Sequence, residues 1–168
     1  MKATTGNAKT PEAEFIEASR VFLRDDYMPK LLHCLARMSD EDLWWRPNEV
    51  SNSTGNLILH LCGNLRQWIV SSIGGTEFPR DRNAEFSERG PVPRPQLVAN
   101  LIDAVDEVDR VLVALESERL LQRLEVQKYN VSTLHAVYHV VEHFAYHLGQ
   151  VLYLYKMRTG NDPRFYDL

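Results

Sequence analysis

Apolar residues recur along most of this chain at the three- and four-residue spacing of an α-helix, and four long stretches carry the pattern. The first opens at Thr10 and Pro11, where a capping hydroxyl, a pre-set φ and two glutamates suit a helix N-terminus. Phe15, Ser19, Phe22, Tyr27, Leu31, Leu35 and Met38 continue one face as far as Ser39, with a kink predicted at Pro29. SDEDLWWRPNEVS begins with another cap and stops at Pro47, which predicts a short helical turn and a loop. A second long helix is predicted from Ser53 to about Ser72, closed by Gly74 and Gly75. GGTEFPRDRNAEFSERGPVPRP, rich in proline, glycine and charge, reads as a long loop. The third helix is expected from about Pro95 to Ser117, with Leu101, Ile102, Val105, Val108, Leu112 and Leu115 on one side. Asp103, Asp106, Glu107 and Arg110 cover the other. After the β-like stretch LEVQKYNV, Ser132 or Thr133 caps a fourth helix that runs to about Thr159, with Gly160 and Pro163 ending it.

Four such helices in 168 residues predict an all-α protein, a four-helix bundle with a long loop between helices two and three. One domain is expected over residues 11–168, behind a loose tail over residues 1–10 that is polar and lacks the apolar core of a signal peptide. A net charge of -4 and a pI near 5.9 argue against a nucleic-acid surface. The two cysteines, Cys34 and Cys62, are too few for a disulfide framework and fit a reducing cytoplasm. Arg66 interrupts the best apolar run, so no stretch reaches membrane-spanning length. Trp44, Trp45, Tyr153 and Tyr155 are more aromatic surface than a bundle of this size must bury, which points to a symmetric homodimer.

Helices two and four carry the candidate chemistry. On helix two, Ser53, Asn56, Asn64, Gln67 and Ser71 fall within about 40° of His60, while Leu57, Ile58, Leu59, Leu61, Leu65, Trp68, Ile69 and Val70 occupy the rest of the cylinder. This polar stripe holds no charged residue, unlike the outward faces of helices one and three, and so suits a buried polar cleft. Helix four places His135, His139, His143 and His147 one turn apart, and each four-residue step rotates by only about 40°. Between Ser132 and Leu154 its only acid is Glu142, and there is no lysine or arginine, so this helix is expected to be largely buried. Several neutral imidazoles on a buried face would each need a partner, and a metal supplies one. Periodicity alone does not choose among the pairs 135/139, 139/143 and 143/147.

Sequence resemblance makes that choice. The run His143, His147, Gly149, Gln150 (HxxxHxGQ), preceded by His139, resembles the final helix of the DinB-like superfamily. SxGNLxxHLxGNLRQW (Ser53 to Trp68), RDRxxEF (Arg80 to Phe86) and the FYDL ending are similar to one uncharacterised branch of it, and the likeness runs from Phe15 to the C-terminus. The resemblance implies a four-helix bundle whose metal site takes one histidine from helix two and the HxxxH pair from the last helix: His60, His143 and His147. It also implies that relatives include thiol S-transferases and isomerases using low-molecular-weight thiols.

Three nitrogen ligands leave a tetrahedral ion one open position, the mark of a catalytic site. A divalent ion there lowers the pKa of bound water or holds a thiol as the thiolate. Zinc is the default metal and nickel the next. Gln150, Asn64 and His139 are candidate supports for the ligands, one or two turns away on the same faces. Arg82 and Glu85 stand where a loop could close over the site, but loop charges are ordinarily solvated. Cys62 lies about 200° round the helix from His60, a poor fourth ligand; Cys34 reads as core and His33 as structural. The expected function is therefore a metal-dependent enzyme acting on a small molecule, most concretely a low-molecular-weight-thiol S-transferase. A metal-dependent hydrolase and a non-catalytic metal-binding bundle are the alternatives.

Overall fold

A computed structural model describes residues 10–90 and 92–165. The expected tail over residues 1–9 and the Tyr166–Leu168 part of the FYDL ending lie outside the described residues. Helices dominate: α1 (Pro11–Val21), a π-helical turn (Phe22–Tyr27), α2 (Met28–Arg37), α3 (Asp40–Trp44), α4 (Thr54–Leu65), a second π-helical turn (Arg66–Ser71), α5 (Arg82–Ser87), α6 (Arg94–Val113) and α7 (Thr133–Thr159). A 3₁₀ turn (Ser117–Leu121) and the strands β1 (Arg123–Val126) and β2 (Tyr129–Ser132) connect α6 to α7.

Local chemistry explains these boundaries. Thr10 caps α1 by accepting from the Ala13 N–H at 3.2 Å, with Pro11 at the first helical position. The kink expected at Pro29 takes the form of the π-helical turn just before it. Proline cannot donate to a carbonyl one turn back, and the widened turn lets the Met28 N–H reach Leu23 O. Ser39 ends the first long helix two residues beyond Arg37 because it caps α3, in a capping box with Asp42. Ser53 and Asn56 form a second capping box at the start of α4. The expected long loop contains α5, started by the Asp81 carboxylate accepting from the Ala84 N–H at 3.0 Å. α6 stops at Val113, earlier than Ser117, and the chain turns so that Leu115 and Leu120 enter the core. The β-like stretch is an antiparallel hairpin pairing Arg123 with Ser132 and Val126 with Tyr129. α7 begins at the Ser132 cap and ends at Gly160, which adopts a φ of 69° and accommodates the left-handed cap conformation.

One cluster of buried side chains draws on all the long helices, and α4 sits among α5, α6 and α7. Cys34 is fully buried within it, as expected, and His33 packs edge-on against Phe165. No helix among the described residues is long and apolar enough to cross a membrane. One expectation needs correction: α7 is not largely buried. Tyr138, Tyr146, Tyr153 and Met157 are half or more exposed along it, since a phenol can face water without being charged. Of the four aromatics expected to exceed the core, Tyr155 is buried, Trp44 packs on Gly55 and Gly90, and Trp45 lies under the Arg158 guanidinium. Only Tyr153 points away.

Candidate metal centre

α4 and α7 carry the three histidines to one point. The stripe on α4 faces inward: Ser53, Asn56, His60 and Asn64 are all buried, although none has an apolar side chain. On α7, His147 is buried and His143 half-buried, one turn apart. His143 Nε2 lies 3.2 Å from His60 Nε2 and 3.2 Å from His147 Nε2. The ligating atoms of the three residues all fall within 4.8 Å of one another. His60, His143 and His147 therefore form a group compatible with a metal site, and His135, exposed at the start of α7, stands apart from it.

The outer nitrogens differ in their partners. His60 Nδ1 is 2.8 Å from Glu85 Oε2, and His147 Nδ1 is 2.8 Å from Gln150 Oε1. His143 Nδ1 is buried without a hydrogen-bond partner among the described residues. Burial, with His147, His60, His139 and Arg80 around it, pushes the His143 imidazole down to about 3. Burial also lowers His147, against the opposing hydrogen bond from Gln150. His143 and His147 are thus biased toward the neutral form, the one that can bind a metal.

Of the residues expected to support the ligands, Gln150 is the one that hydrogen-bonds a histidine of the triad, through its Oε1 at His147 Nδ1. His139 stacks on Trp68, ring centroids 4.1 Å apart, and its ring centre lies 5.4 Å from that of His143, so it flanks the centre. Asn64 is buried one turn after His60, yet among the described residues it makes no hydrogen bond to a histidine. Cys62 is buried facing elsewhere, and burial pushes its thiol up to about 12.

Glu85 corrects the reading of the loop charges as solvated. It is buried, and besides His60 it holds Arg80, whose Nε lies 2.6 Å from Oε1 and whose Nη2 lies 2.8 Å from Oε2. Burial pushes the Glu85 carboxyl up, but the hydrogen bonds and charges of Arg80 and His60 outweigh it and hold the group below the ordinary carboxylate value. Arg80, given no role from sequence, has a side chain only 4% exposed and also donates to Gln67 Oε1 at 2.9 Å. Asn56 anchors the same segment, donating to the carbonyls of Glu85 and Glu88. Arg82 is exposed and stacks on Phe86, whose ring centre is 4.6 Å from that of His60. The one sign in the sequence lies on α4 and not in the loop: Gly63, a glycine inside a helix three residues after His60, marks a place where another segment approaches closely.

No curated protein matches this chain. A solved structure, the crystal structure of the conserved protein of a locus from Enterococcus faecalis, is similar in fold, with a TM-score of 0.70 at 16% identity over 86% of this chain and 97% of that one. The family model described as "Protein of unknown function (DUF1572)" matches residues 12–166, nearly the whole chain, and the protein belongs to that family.

Proposed function

We propose that this chain is a single-domain, DinB-like four-helix bundle over residues 11–168 that binds one divalent ion through His60, His143 and His147. The carrying observation is the convergence of the three Nε2 atoms, to which the partners of the outer nitrogens give a direction for the lone pairs. An ionised Glu85 only accepts, so His60 holds its proton on Nδ1; Gln150 Oε1 places the proton of His147 on Nδ1 in the same way. Both Nε2 atoms then offer lone pairs toward His143 Nε2, 3.2 Å from each. A proton on His143 Nε2 satisfies only one of them well, whereas a cation satisfies all three. Zinc suits three imidazoles best and nickel next.

Bound there, a divalent ion would acidify a water or thiol at its open position and make it nucleophilic near neutral pH. The chain's own residues fix the geometry: Glu85 and Gln150 lock two tautomers, and Phe86, Trp68 and His139 flank the histidines with aromatic surface. We read the protein as a cytoplasmic, homodimeric, metal-dependent enzyme on small molecules, most concretely a low-molecular-weight-thiol S-transferase, with ester or amide hydrolysis next. A non-catalytic ion is the second reading, favoured by the way the site ties α4 to α7.

Thiol consumption with a panel of small electrophiles, measured beside the melting temperature of metal-free and zinc-loaded protein, separates these readings. The enzyme reading expects turnover that rises with pH and disappears in His60→Ala with the helical circular dichroism unchanged. A large loss of stability on metal removal, with no activity on any electrophile or ester, would leave only the non-catalytic ion.

A further inference from the structure

We propose that Glu85, clamped by Arg80 in the notch left by Gly63, is the positioning residue that sets the metal affinity of the histidine triad; this rests on reading the triad as a metal site. Two of the three ligands, His143 and His147, sit one turn apart on α7 and are placed by that helix alone. His60 is the third corner, on another helix, and it alone has a carboxylate behind it. The carboxylate comes from α5, 25 residues further along the chain.

Everything around Glu85 holds its two oxygens in place. Arg80 Nε donates to Oε1, while Arg80 Nη2 and His60 Nδ1 each lie 2.8 Å from Oε2 and 3.1 Å from one another, with the carboxylate oxygen as the acceptor they share. Arg80 is itself pinned by Gln67 Oε1 at 2.9 Å and lies 3.4 Å from the His60 carbonyl, so the clamp grips both the ring and the backbone of the ligand. A Cβ on Gly63 would stand 2.0 Å from Glu85 Oε1 and 2.8 Å from Arg80 Nε; α4 is notched three residues after the ligand. A buried ion pair is a poor device for stability, because desolvation offsets most of its Coulombic gain. Behind a metal-binding imidazole it has a use: it fixes the tautomer and the ring plane and raises ligand basicity.

The geometry also explains why the residue must be ionised. Among the described residues three nitrogens bond the Glu85 carboxylate, Arg80 Nε, Arg80 Nη2 and His60 Nδ1, and an ionised carboxylate accepts from all three. In Glu85→Gln, one of the two positions becomes an NH₂ facing a donor. Turned toward His60, it drives the imidazole proton to Nε2 and blocks ligation; turned toward Arg80, it breaks the clamp. An amide of the same shape therefore cannot substitute.

The test uses the full chain, zinc ions with a competing chelator, and imidazole ¹⁵N NMR of the metal-free protein. Wild type should hold His60 as the Nδ1–H tautomer, and Glu85→Gln should remove that preference and weaken zinc binding by about 10–100-fold. Circular dichroism and the zinc affinity per folded molecule keep a folding defect separate. A Glu85→Gln protein that is less stable but binds zinc as tightly as wild type would make the pair merely structural and overturn the proposal. An Nε2–H tautomer in metal-free wild type would overturn it without any metal measurement. Wild type that binds no zinc would instead defeat the reading of the triad itself.

Discussion

Replacing Gly63 by alanine tests the loop clamp through stability alone. The substitution would ordinarily help, since alanine in a helix interior is better than glycine by about 1 kcal/mol. Here the new methyl group meets Glu85 Oε1 at 2.0 Å and Glu85 Cδ at 2.9 Å, distances that no small shift relieves while Arg80 and His60 hold the carboxylate. Glu85 must leave. Breaking a buried pair costs about 3–5 kcal/mol when one charge is left unpaired. In this case both ions survive and regain water as the loop swings out, so the lower end applies. Subtracting the propensity gain leaves a net loss of roughly 2–3 kcal/mol, which for a protein of this size lowers the melting temperature by roughly 5–10 °C. Gly149 on α7 is the internal control: among the described residues a Cβ there meets nothing within 4 Å. Gly149→Ala should raise stability by about 0.5–1 kcal/mol. Thermal or urea melts of the two variants should move in opposite directions, and a Gly63→Ala melt at or above wild type would refute the reasoning.

Three further outcomes are expected. Metal-free protein should lose stability as pH falls from about 6.5. His139, His147 and above all His143, pushed down to about 3, resist protonation when folded, so the unfolded chain takes up protons first; melts that are flat between pH 7 and 4 would contradict this. Asp109→Asn should cost about 1–2 kcal/mol in urea melts, because Asp109 joins α6 to α1 through Arg20 at 2.8 Å and the exposed Arg24 adds little. His135→Ala should leave zinc affinity unchanged in chelator competition, since that ring is exposed at the far end of α7.

How much of this was legible in the sequence follows from where each signal resides. Caps and stops are local, so Thr10, Ser53, Ser132 and Gly160 marked helix ends that the structure keeps. The charge-free stripe around His60 correctly pointed inward, because an amide or imidazole face on an apolar helix has few other uses. The α7 helix was misread for the converse reason: lack of charge was taken as burial, yet tyrosines tolerate water and three of them face it. Bringing His60 to His143 needed resemblance, since no periodicity links residues 83 positions apart. Glu85 and Arg80 escaped because loop charges carry no pattern of their own. Their burial depends on Gly63 and Asn56, residues of another element that make room for the segment and hold its backbone.

The central claim is that His60, His143 and His147 hold one divalent ion, and metal content measures it most directly. Wild-type protein and the triple variant His60→Ala, His143→Ala, His147→Ala should be exposed to zinc, freed of excess by gel filtration and analysed for bound metal per chain. Wild type should retain a stoichiometric ion and the triple variant none, with both showing helical circular dichroism. Stoichiometric metal in the triple variant, or none in wild type, would contradict the account.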